Sequence, residues 1–142
     1  MNDNSLLEFA QRYTTAWCSQ NADSVAAFFG VNGSLSVNDN APAVGRGNIS
    51  EVAQSFMTAF PDLVVKMDEV IIKGGSAEYH WTLTGTNSGP DGTGRRVRIS
   101  GYEEWQFEPE GLIASSKGHF DATEYQRQLR GESRQEGFPR AH

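Results

Sequence analysis

The first part of the chain carries apolar side chains at helical spacing, which predicts helices there. Ser5 followed by Glu8 is a capping-box pattern at the start of the first helix. Asn21 or Asp23 can cap a second, short helix, which Gly30 would end in a left-handed conformation. The apolar positions of these two helices are Leu6, Phe9, Ala10, Tyr13, Ala16 and Trp17, and then Val25, Phe28 and Phe29.

A third helix is predicted between Asn48 and Phe60. Asn48 with Glu51 repeats the capping pattern, and Pro61 closes the helix because the residue before a proline disfavours the helical conformation. Its apolar positions are Ile49, Val52, Ala53, Phe56, Met57 and Phe60. The short segment Leu35 to Val37, ahead of this helix, is predicted to be a brief strand.

After Pro61 the apolar spacing changes from helical to alternating, which predicts strands. About four strands are expected, at Val64 to Ile72, Glu78 to Thr86, Val97 to Phe107 and Leu112 to Phe120. Glycine-rich breaks separate them, at Gly74-Gly75, Gly89 to Gly94 and Pro109 to Gly111. Consecutive strands joined by short breaks favour an antiparallel meander.

Three helices followed by a long-stranded sheet predict an α+β domain with the helices stacked on one face of the sheet. Strands of this length curl when they twist, and Gly85 and Gly101 fall where the sheet could bend or bulge. A strongly curved, mostly antiparallel sheet covered by three N-terminal helices forms a cone. A ligand would fit at its wide end.

The length of 142 residues suits one domain with one core. Asp121 or Thr123 would cap a last short helix carrying Tyr125 and Leu129. The domain is therefore expected to span residues 1–130. Residues 131–142 are polar with glycine and proline, and they are expected to form a mobile tail.

Charge and cysteine content exclude several classes of function. The net charge is -6, and basic residues are scattered apart from Arg95, Arg96 and Arg98, which argues against nucleic acid or an anionic membrane as partner. The lone Cys18 cannot form an internal disulfide, and its setting suits helix packing better than nucleophilic chemistry. No signal-peptide or membrane-spanning pattern is found, so a cytoplasmic location is expected.

Several short motifs occur in an order and spacing typical of one protein family. They are Phe60-Pro61-Asp62-Leu63, the segment Trp81 to Gly89 with Gly85-Thr86-Asn87, Gly94-Arg95-Arg96-Val97, Gly111-Leu112-Ile113, and Asp121 followed by Gln128-Leu129. With these motifs the chain resembles the SnoaL-like polyketide cyclases of the nuclear-transport-factor-two-like (cystatin-like, ketosteroid-isomerase-like) superfamily. The resemblance extends from the first helix to Leu129.

This resemblance implies the curved-sheet fold and a homodimer formed through the outer face of the sheet. It does not decide the reaction, because the superfamily includes cyclases, isomerases, dehydratases, epoxide hydrolases and non-catalytic members. Two positions depart from the family pattern. Asn87 replaces a common histidine, and Lys117 replaces a usual aromatic residue on the last strand.

Asp121 is the position that best matches the acid/base aspartate of SnoaL-like cyclases. A carboxylate at the mouth of a cavity can move a proton on a carbon next to a carbonyl. His119 lies two residues earlier, so alternation places both side chains on one face of the strand. Alternatively, Asp121 only caps the following helix, and His119 is a half-exposed residue near a sheet edge.

Glu103 is the single charged residue in an otherwise apolar alternating series from Val97 to Phe107. It is predicted to be paired, neutral or at the rim of a pocket, unless a register shift near Gly101 turns it to solvent. His80 is predicted on the outer face, as a reserve catalytic candidate. The predicted ligand-binding residues are Tyr13, Trp17, Phe28, Phe56, Phe60, Trp81 and Glu103.

Two hypotheses of function follow. In the first, the protein is a cofactor-free enzyme in which Asp121 with His119 or Tyr13 catalyses cyclisation, isomerisation or dehydration of a hydrophobic carbonyl compound. In the second, it is a non-catalytic module for ligand binding or dimerisation. Epoxide hydrolysis is weaker because no Asp-Arg-Asp set faces inward. No metal or nucleotide cofactor is expected.

Overall fold

Helices and strands follow each other along the chain in the predicted order. A computed structural model describes residues 3–131. The helices are α1 (Asp3–Cys18), α2 (Ala22–Ala26), α3 (Arg46–Ala59) and α4 (Ala122–Arg130). The strands are β1 (Phe29–Val37), β2 (Ala43–Val44), β3 (Val64–Lys73), β4 (Ser76–Thr86), β5 (Arg96–Phe107) and β6 (Ile113–Phe120).

The six strands form one mixed sheet in the order β2-β1-β6-β5-β4-β3. The four strands from β3 to β6 pair antiparallel with their chain neighbours, which confirms the predicted meander. Strand β1 extends the sheet by pairing parallel with β6, and the short β2 pairs antiparallel with β1. The fold is therefore the predicted α+β class, with a sheet that is mostly antiparallel.

Three helix boundaries differ from the prediction. Helix α1 already includes Asp3, so Ser5 lies inside the helix and does not cap it. Gly30 does not end the second helix, because Ala27 closes it in a right-handed conformation and Gly30 lies within β1. The fully buried Phe29 begins that strand and pairs with Ile113, so sheet pairing replaces a helix cap. Helix α3 begins at Arg46, before the predicted cap residue Asn48, whose side chain donates back to the Val44 carbonyl.

The helices cover the inner face of the sheet, and interlocked aromatic rings fill the space between them. The ring of Tyr13, on α1, packs edge to face against Tyr79 of β4 and Trp105 of β5, with centroids 5.3 and 5.1 Å away. Tyr79 and Trp105 stack on each other at 4.8 Å. Rings of this size dominate core stabilisation, so this cluster fixes how α1 sits on the sheet.

A β-bulge in β6 reverses the alternation of that strand. Gln106 of β5 pairs with Ser115, but the next residue, Phe107, pairs with Ile113, which leaves Ala114 unpaired. Both Ile113 and Ser116 are consequently buried on the inner face. Beyond the bulge, the even-numbered residues of β6 face inward.

The pairing of β5 with β6 ends at Gly101, and helix α4 hydrogen-bonds to the part of β5 that precedes this residue. The Gln128 side chain donates to the Arg98 carbonyl and accepts from its amide, at 2.9 and 2.7 Å. Asp121 caps the helix by accepting from the Glu124 amide at 3.0 Å, as the capping interpretation predicted. Gly131 ends it in a left-handed conformation, and residues 132–142 of the expected tail lie outside the described residues.

None of the helices within residues 3–131 is long and apolar enough to cross a bilayer.

Gly101 allows a close approach of its neighbours. A Cβ atom there would lie 2.2 Å from the His119 carbonyl oxygen and 2.7 Å from Cζ2 of Trp81. The register of β4 and β5 is continuous at Gly101 and at Gly85, so the bulge considered for these glycines is absent. Gly101 instead provides room for the Trp81 ring on the inner face.

We expect Gly101→Ala to lower the free energy of unfolding by about 1–3 kcal/mol, the usual cost of overpacking a core. Gly47→Ala is the matched control, because no atom lies within 4 Å of a Cβ at that helical position. The control should be neutral or stabilising by up to about 1 kcal/mol. Urea denaturation monitored by fluorescence measures both. Equal stability of the two variants would show that Gly101 is not needed for close packing.

Candidate active site

A buried carboxylate, Glu103, lies at the centre of the inner face of the sheet. It belongs to β5 and pairs with Tyr79 on one side and Gly118 on the other. Gly118 places no side chain opposite Glu103, and both residues line an internal cavity. Only 8% of the Glu103 surface remains exposed. The inward orientation predicted for the Val97 to Phe107 series is therefore right.

Three hydrogen-bond donors from three elements converge on one oxygen of this carboxyl group. Oε1 accepts from the Tyr13 hydroxyl at 2.9 Å, the Trp105 indole at 2.8 Å and the Ser116 hydroxyl at 2.8 Å. Oε2 has only a longer contact with the Tyr13 hydroxyl, at 3.2 Å. Oε1 is thus saturated by the protein, whereas Oε2 keeps accepting capacity for a ligand.

Burial raises the pKa of Glu103 above its ordinary value of 4.5, because desolvation disfavours the charged form. The hydrogen bonds from Trp105, Ser116 and Tyr13 act in the opposite direction and offset part of this effect. Burial, followed by the negative charge of Glu103, raises the pKa of Tyr13 well above its usual range. The tyrosine therefore stays protonated and donates to the carboxyl group.

The cavity has a volume of about 70 Å³ and an almost entirely apolar wall. Within residues 3–131, Glu103 is its only charged lining residue. The side chains that complete the wall are Trp17, Leu35, Val37, Val52, Phe56, Val65, Tyr79, Trp81, Leu83, Ile99, Phe120 and Tyr125, together with Ser36 and Gly118. Such a space suits a small apolar compound, or the reacting end of a longer one.

The predicted positions of Asp121 and His119 at the cavity are wrong. Asp121 is exposed and caps α4, and neither residue lines the cavity. His119 faces outward, where its Nε2 lies 3.0 Å from Oε1 of Glu104 and its ring packs on Tyr102. The physical reason for His119 is the bulge at Ala114, which turns the odd-numbered residues of β6 that follow it away from the interior. Asp121 lies beyond the end of β6, where it caps α4.

Four of the predicted ligand-binding residues do line the cavity: Trp17, Phe56, Trp81 and Glu103. Tyr13 does not line the cavity, but it contacts three residues that do, because it donates to Glu103 and packs on Trp17 and Tyr79. Phe28 packs away from it against Phe9 and Tyr13. Phe60 is fully buried against Tyr125 and does not reach the cavity.

Several residues of the site were not among the predicted ones. Trp105 shares the inner face with Glu103, so the i, i+2 spacing already indicated their proximity. Ser116 and Gly118 gave no such signal, because only the pairing of β5 with β6 brings them to the carboxyl group. The aromatic residues Phe120 and Tyr125 lie on opposite sides of the turn into α4, and only tertiary packing brings them to the cavity wall.

The two departures from the family pattern occupy structural positions. Asn87 is buried, donates to the Ala59 carbonyl at 3.2 Å and accepts from the Thr93 amide at 2.8 Å, which ties the loop after β4 to the end of α3. Lys117 is exposed on β6 and lines none of the cavity described above. Neither replacement removes a group from the Glu103 site.

His80 lies on the outer face, as predicted, where its ring stacks on Tyr102 with centroids 5.2 Å apart. Its Nε2 atom is 3.2 Å from Oε1 of Glu78. Within the part of the chain that the structure describes, no three His, Cys, Asp or Glu side chains meet in a group that could hold a metal ion.

The model of the SnoaL-like polyketide cyclase family matches residues 7–129, so the chain belongs to the SnoaL-like family. Among proteins of curated function, none matches significantly.

Solved structures show the same fold at low sequence identity. A ketosteroid-isomerase-like protein from Catenulispora acidiphila, in complex with trimethylamine, is 16% identical with a TM-score of 0.77, covering 89% of this chain and 94% of its own. A SnoaL-like polyketide cyclase from Jannaschia sp. is 14% identical with a TM-score of 0.79, covering 92% and 94%.

A third similar structure is that of SalBIII, an epoxide hydrolase/cyclase-like enzyme with a role in pyran ring formation in salinomycin. It is 21% identical with a TM-score of 0.74, covering 87% of this chain and 97% of SalBIII. Together these similarities establish a ketosteroid-isomerase-like fold for the chain.

The raised pKa of Glu103 makes stability depend on pH. The protonated carboxyl group is favoured in the folded protein, so its contribution to stability is complete below the ordinary pKa of 4.5 and is lost as pH rises through the raised value. Glu103→Gln, which cannot ionise, should lack this loss. The free energy of unfolding of the variant relative to wild type should therefore increase with pH across that window.

Urea denaturation at a series of pH values measures this difference. Glu104→Gln is the matched control, because it makes the same chemical change at a side chain that is 46% exposed on the opposite face of β5. Parallel pH curves for wild type and Glu103→Gln would contradict the direction of the pKa shift.

Proposed function

We propose that this protein is a cofactor-free acid–base catalyst of the SnoaL-like family that acts on a small carbonyl compound, with Glu103 as the proton acceptor and donor. The observation that carries the proposal is a single carboxyl group inside an apolar cavity, with Oε1 held by three donors and Oε2 left for a ligand. Cyclisation, isomerisation and dehydration all begin with the proton transfer that such a group performs.

The chemical steps require only the residues described and the substrate. Oε2 of ionised Glu103 removes a proton from the carbon next to the carbonyl, and the C–H electron pair moves toward the carbonyl oxygen to form an enolate. Return of the proton to another carbon gives isomerisation. Attack of the enolate carbon on a second carbonyl closes a ring, and the protonated Glu103 then supplies its proton to the new alkoxide.

Desolvation makes Glu103 suited to this work. A carboxylate removed from water is a stronger base than one in solvent, and the pKa of Glu103 is raised for that reason. Tyr13, Trp105 and Ser116 hold the carboxyl group in one orientation, and therefore act as positioning residues. The catalytic roles first assigned to Asp121 and His119 depended on their facing the cavity, so Glu103 is the better candidate.

A second candidate function is non-catalytic binding of a small ligand. The aromatic wall and single carboxylate of the cavity would also suit a small alkylammonium ion through cation–π contacts. The similar protein from Catenulispora acidiphila is in complex with trimethylamine, which supports this alternative. The two functions differ in whether a bound carbonyl compound undergoes proton exchange.

The test uses cyclohexanone in D₂O, with exchange of its α-hydrogens followed by proton NMR. We expect wild type to accelerate the exchange and Glu103→Gln to lose about 100-fold or more of that acceleration. The rate should rise with pH and level off above the raised pKa of Glu103, because only the carboxylate accepts a proton. Asp121→Asn and His119→Gln should retain wild-type rates.

Retention of activity in Glu103→Gln, or its loss in Asp121→Asn, would contradict the assignment of the base. Binding of cyclohexanone by wild type, detected by saturation-transfer NMR, without accelerated exchange would favour the non-catalytic function. Circular dichroism of each variant shows whether the fold is retained.

We further propose that the protein forms a homodimer through the outer face of the sheet. On that face Tyr102 lies between His80 and His119, with ring centroids 5.2 and 4.8 Å away, and all three rings are only half-buried. A second copy would cover this row of rings. The cytoplasmic location expected from the sequence stays a prediction.

Sedimentation velocity over a concentration series measures the dimerisation. We expect wild type to sediment as a dimer and Tyr102→Ala to shift toward the monomer, because the variant loses the central ring of the row. Glu51→Ala, at an exposed position of α3, is the control and should remain dimeric. A wild-type monomer at all concentrations would disprove the proposed interface.

A further inference from the structure

One side-chain nitrogen of a cavity-lining residue has no hydrogen-bond partner among residues 3–131. Trp81, on β4, lines the cavity, and its indole nitrogen Nε1 is buried without a hydrogen-bond acceptor among residues 3–131. Buried tryptophan N–H groups are normally paired, because an unsatisfied donor costs free energy. This position therefore calls for an explanation.

The indole N–H group of Trp105, in contrast, has a hydrogen-bond partner. The Trp105 indole is buried on the neighbouring strand and donates to Glu103 Oε1 at 2.8 Å. The same chemical group is thus paired on Trp105 and unpaired on Trp81. Trp81, which carries the unpaired donor, and Glu103, whose Oε2 keeps accepting capacity, both line one apolar cavity.

Neighbouring residues hold the Trp81 ring in place. Gly101 lies directly across the β4–β5 pairing, and a Cβ at that position would come within 2.7 Å of Trp81 Cζ2. Cζ2 is bonded to the ring carbon that carries Nε1, so this glycine accommodates the edge of the indole next to the N–H group. Phe120, which pairs with Gly101 from β6, packs edge to face against the Trp81 ring, with centroids 6.1 Å apart.

We propose that the Trp81 N–H group donates a hydrogen bond to the carbonyl oxygen of the substrate, while Glu103 Oε2 faces the adjacent C–H group. This inference rests on the proposed function and narrows its substrate class to compounds with a carbonyl acceptor. When Glu103 removes the proton, negative charge develops on the oxygen that Trp81 binds. The N–H group stabilises this enolate without transferring its own proton.

The same donor discriminates between the two candidate functions. An alkylammonium ion has no acceptor atom, so it would leave the Trp81 N–H group unpaired. A carbonyl compound satisfies both Trp81 and Glu103. Trp81 is therefore the residue that favours carbonyl ligands over cations of similar size.

The experiment compares cyclohexanone with methylenecyclohexane, which has nearly the same shape but no oxygen. The chain has three tryptophans, so ¹H–¹⁵N NMR of wild type should show three indole signals, and the signal missing in Trp81→Phe belongs to Trp81. Cyclohexanone should shift this signal downfield in a saturable manner. Methylenecyclohexane should bind without the downfield shift.

Affinities measured by the same titrations provide a second readout. Trp81→Phe should weaken cyclohexanone binding by about 3-fold to 10-fold, the usual net effect of losing one hydrogen bond, and should change the affinity for methylenecyclohexane by less than about twofold. It should also slow α-hydrogen exchange of cyclohexanone without moving the pH at which the rate levels off. A solely structural role would weaken both ligands alike.

The proposal is overturned if cyclohexanone binds without a downfield shift of the Trp81 signal, or if neither probe binds. The wild-type shift does not depend on the folding of any variant. If Glu103→Gln loses α-hydrogen exchange but Trp81→Phe changes neither binding nor exchange, the acid–base function is supported and the role of Trp81 is contradicted. A downfield shift of the Trp81 signal in wild type without accelerated exchange would support the hydrogen bond from Trp81 and contradict the acid–base function.

Discussion

The buried Glu103 carboxyl group requires hydrogen-bond donors that only the assembled helix and sheet supply. An ionisable group in an apolar interior is destabilising unless its oxygens are hydrogen-bonded. Here Tyr13 of α1, Trp105 of β5 and Ser116 of β6 supply the donors, so the group is satisfied only when helix and sheet are assembled correctly. The carboxyl group thus connects the packing of α1 on the sheet with the geometry of the candidate site.

Two glycines allow the arrangement of the cavity wall beside this group. Gly118 places no side chain opposite Glu103, and Gly101 leaves room for the Trp81 ring. Directly next to the cavity, the interior is filled by interlocked rings, among them Tyr13, Tyr79 and Trp105. The domain therefore combines a close-packed aromatic core with a small apolar cavity, and Glu103 lies at the boundary between them.

Membership of the SnoaL-like family and the similarity to solved structures determine the fold but leave the chemistry to the site. Sequence identities of 14 to 21% with the three structures described are compatible with one sheet architecture and different active residues. In this chain the aspartate after the last strand serves as a helix cap, and the cavity carboxylate is Glu103 of the preceding strand. An assignment based only on the family position would place the chemistry on the solvent-exposed side chain of Asp121.

Periodicity along the chain is enough to predict the α+β class, the antiparallel meander, the outward orientation of His80 and the place of Trp81 in the cavity wall. Local backbone geometry imposes this periodicity on neighbouring residues. The inward orientation of Glu103 depended on the unbroken register of β4 and β5 at Gly101. Which residues of β6 face the cavity depended on tertiary structure, because the unpaired Ala114 shifts the alternation and the shift exists only through pairing with β5. The partners of Glu103 depend on the same cross-strand register. No spacing along the chain encodes contacts between residues as distant as Tyr13 and Glu103, so the candidate site became visible only in three dimensions.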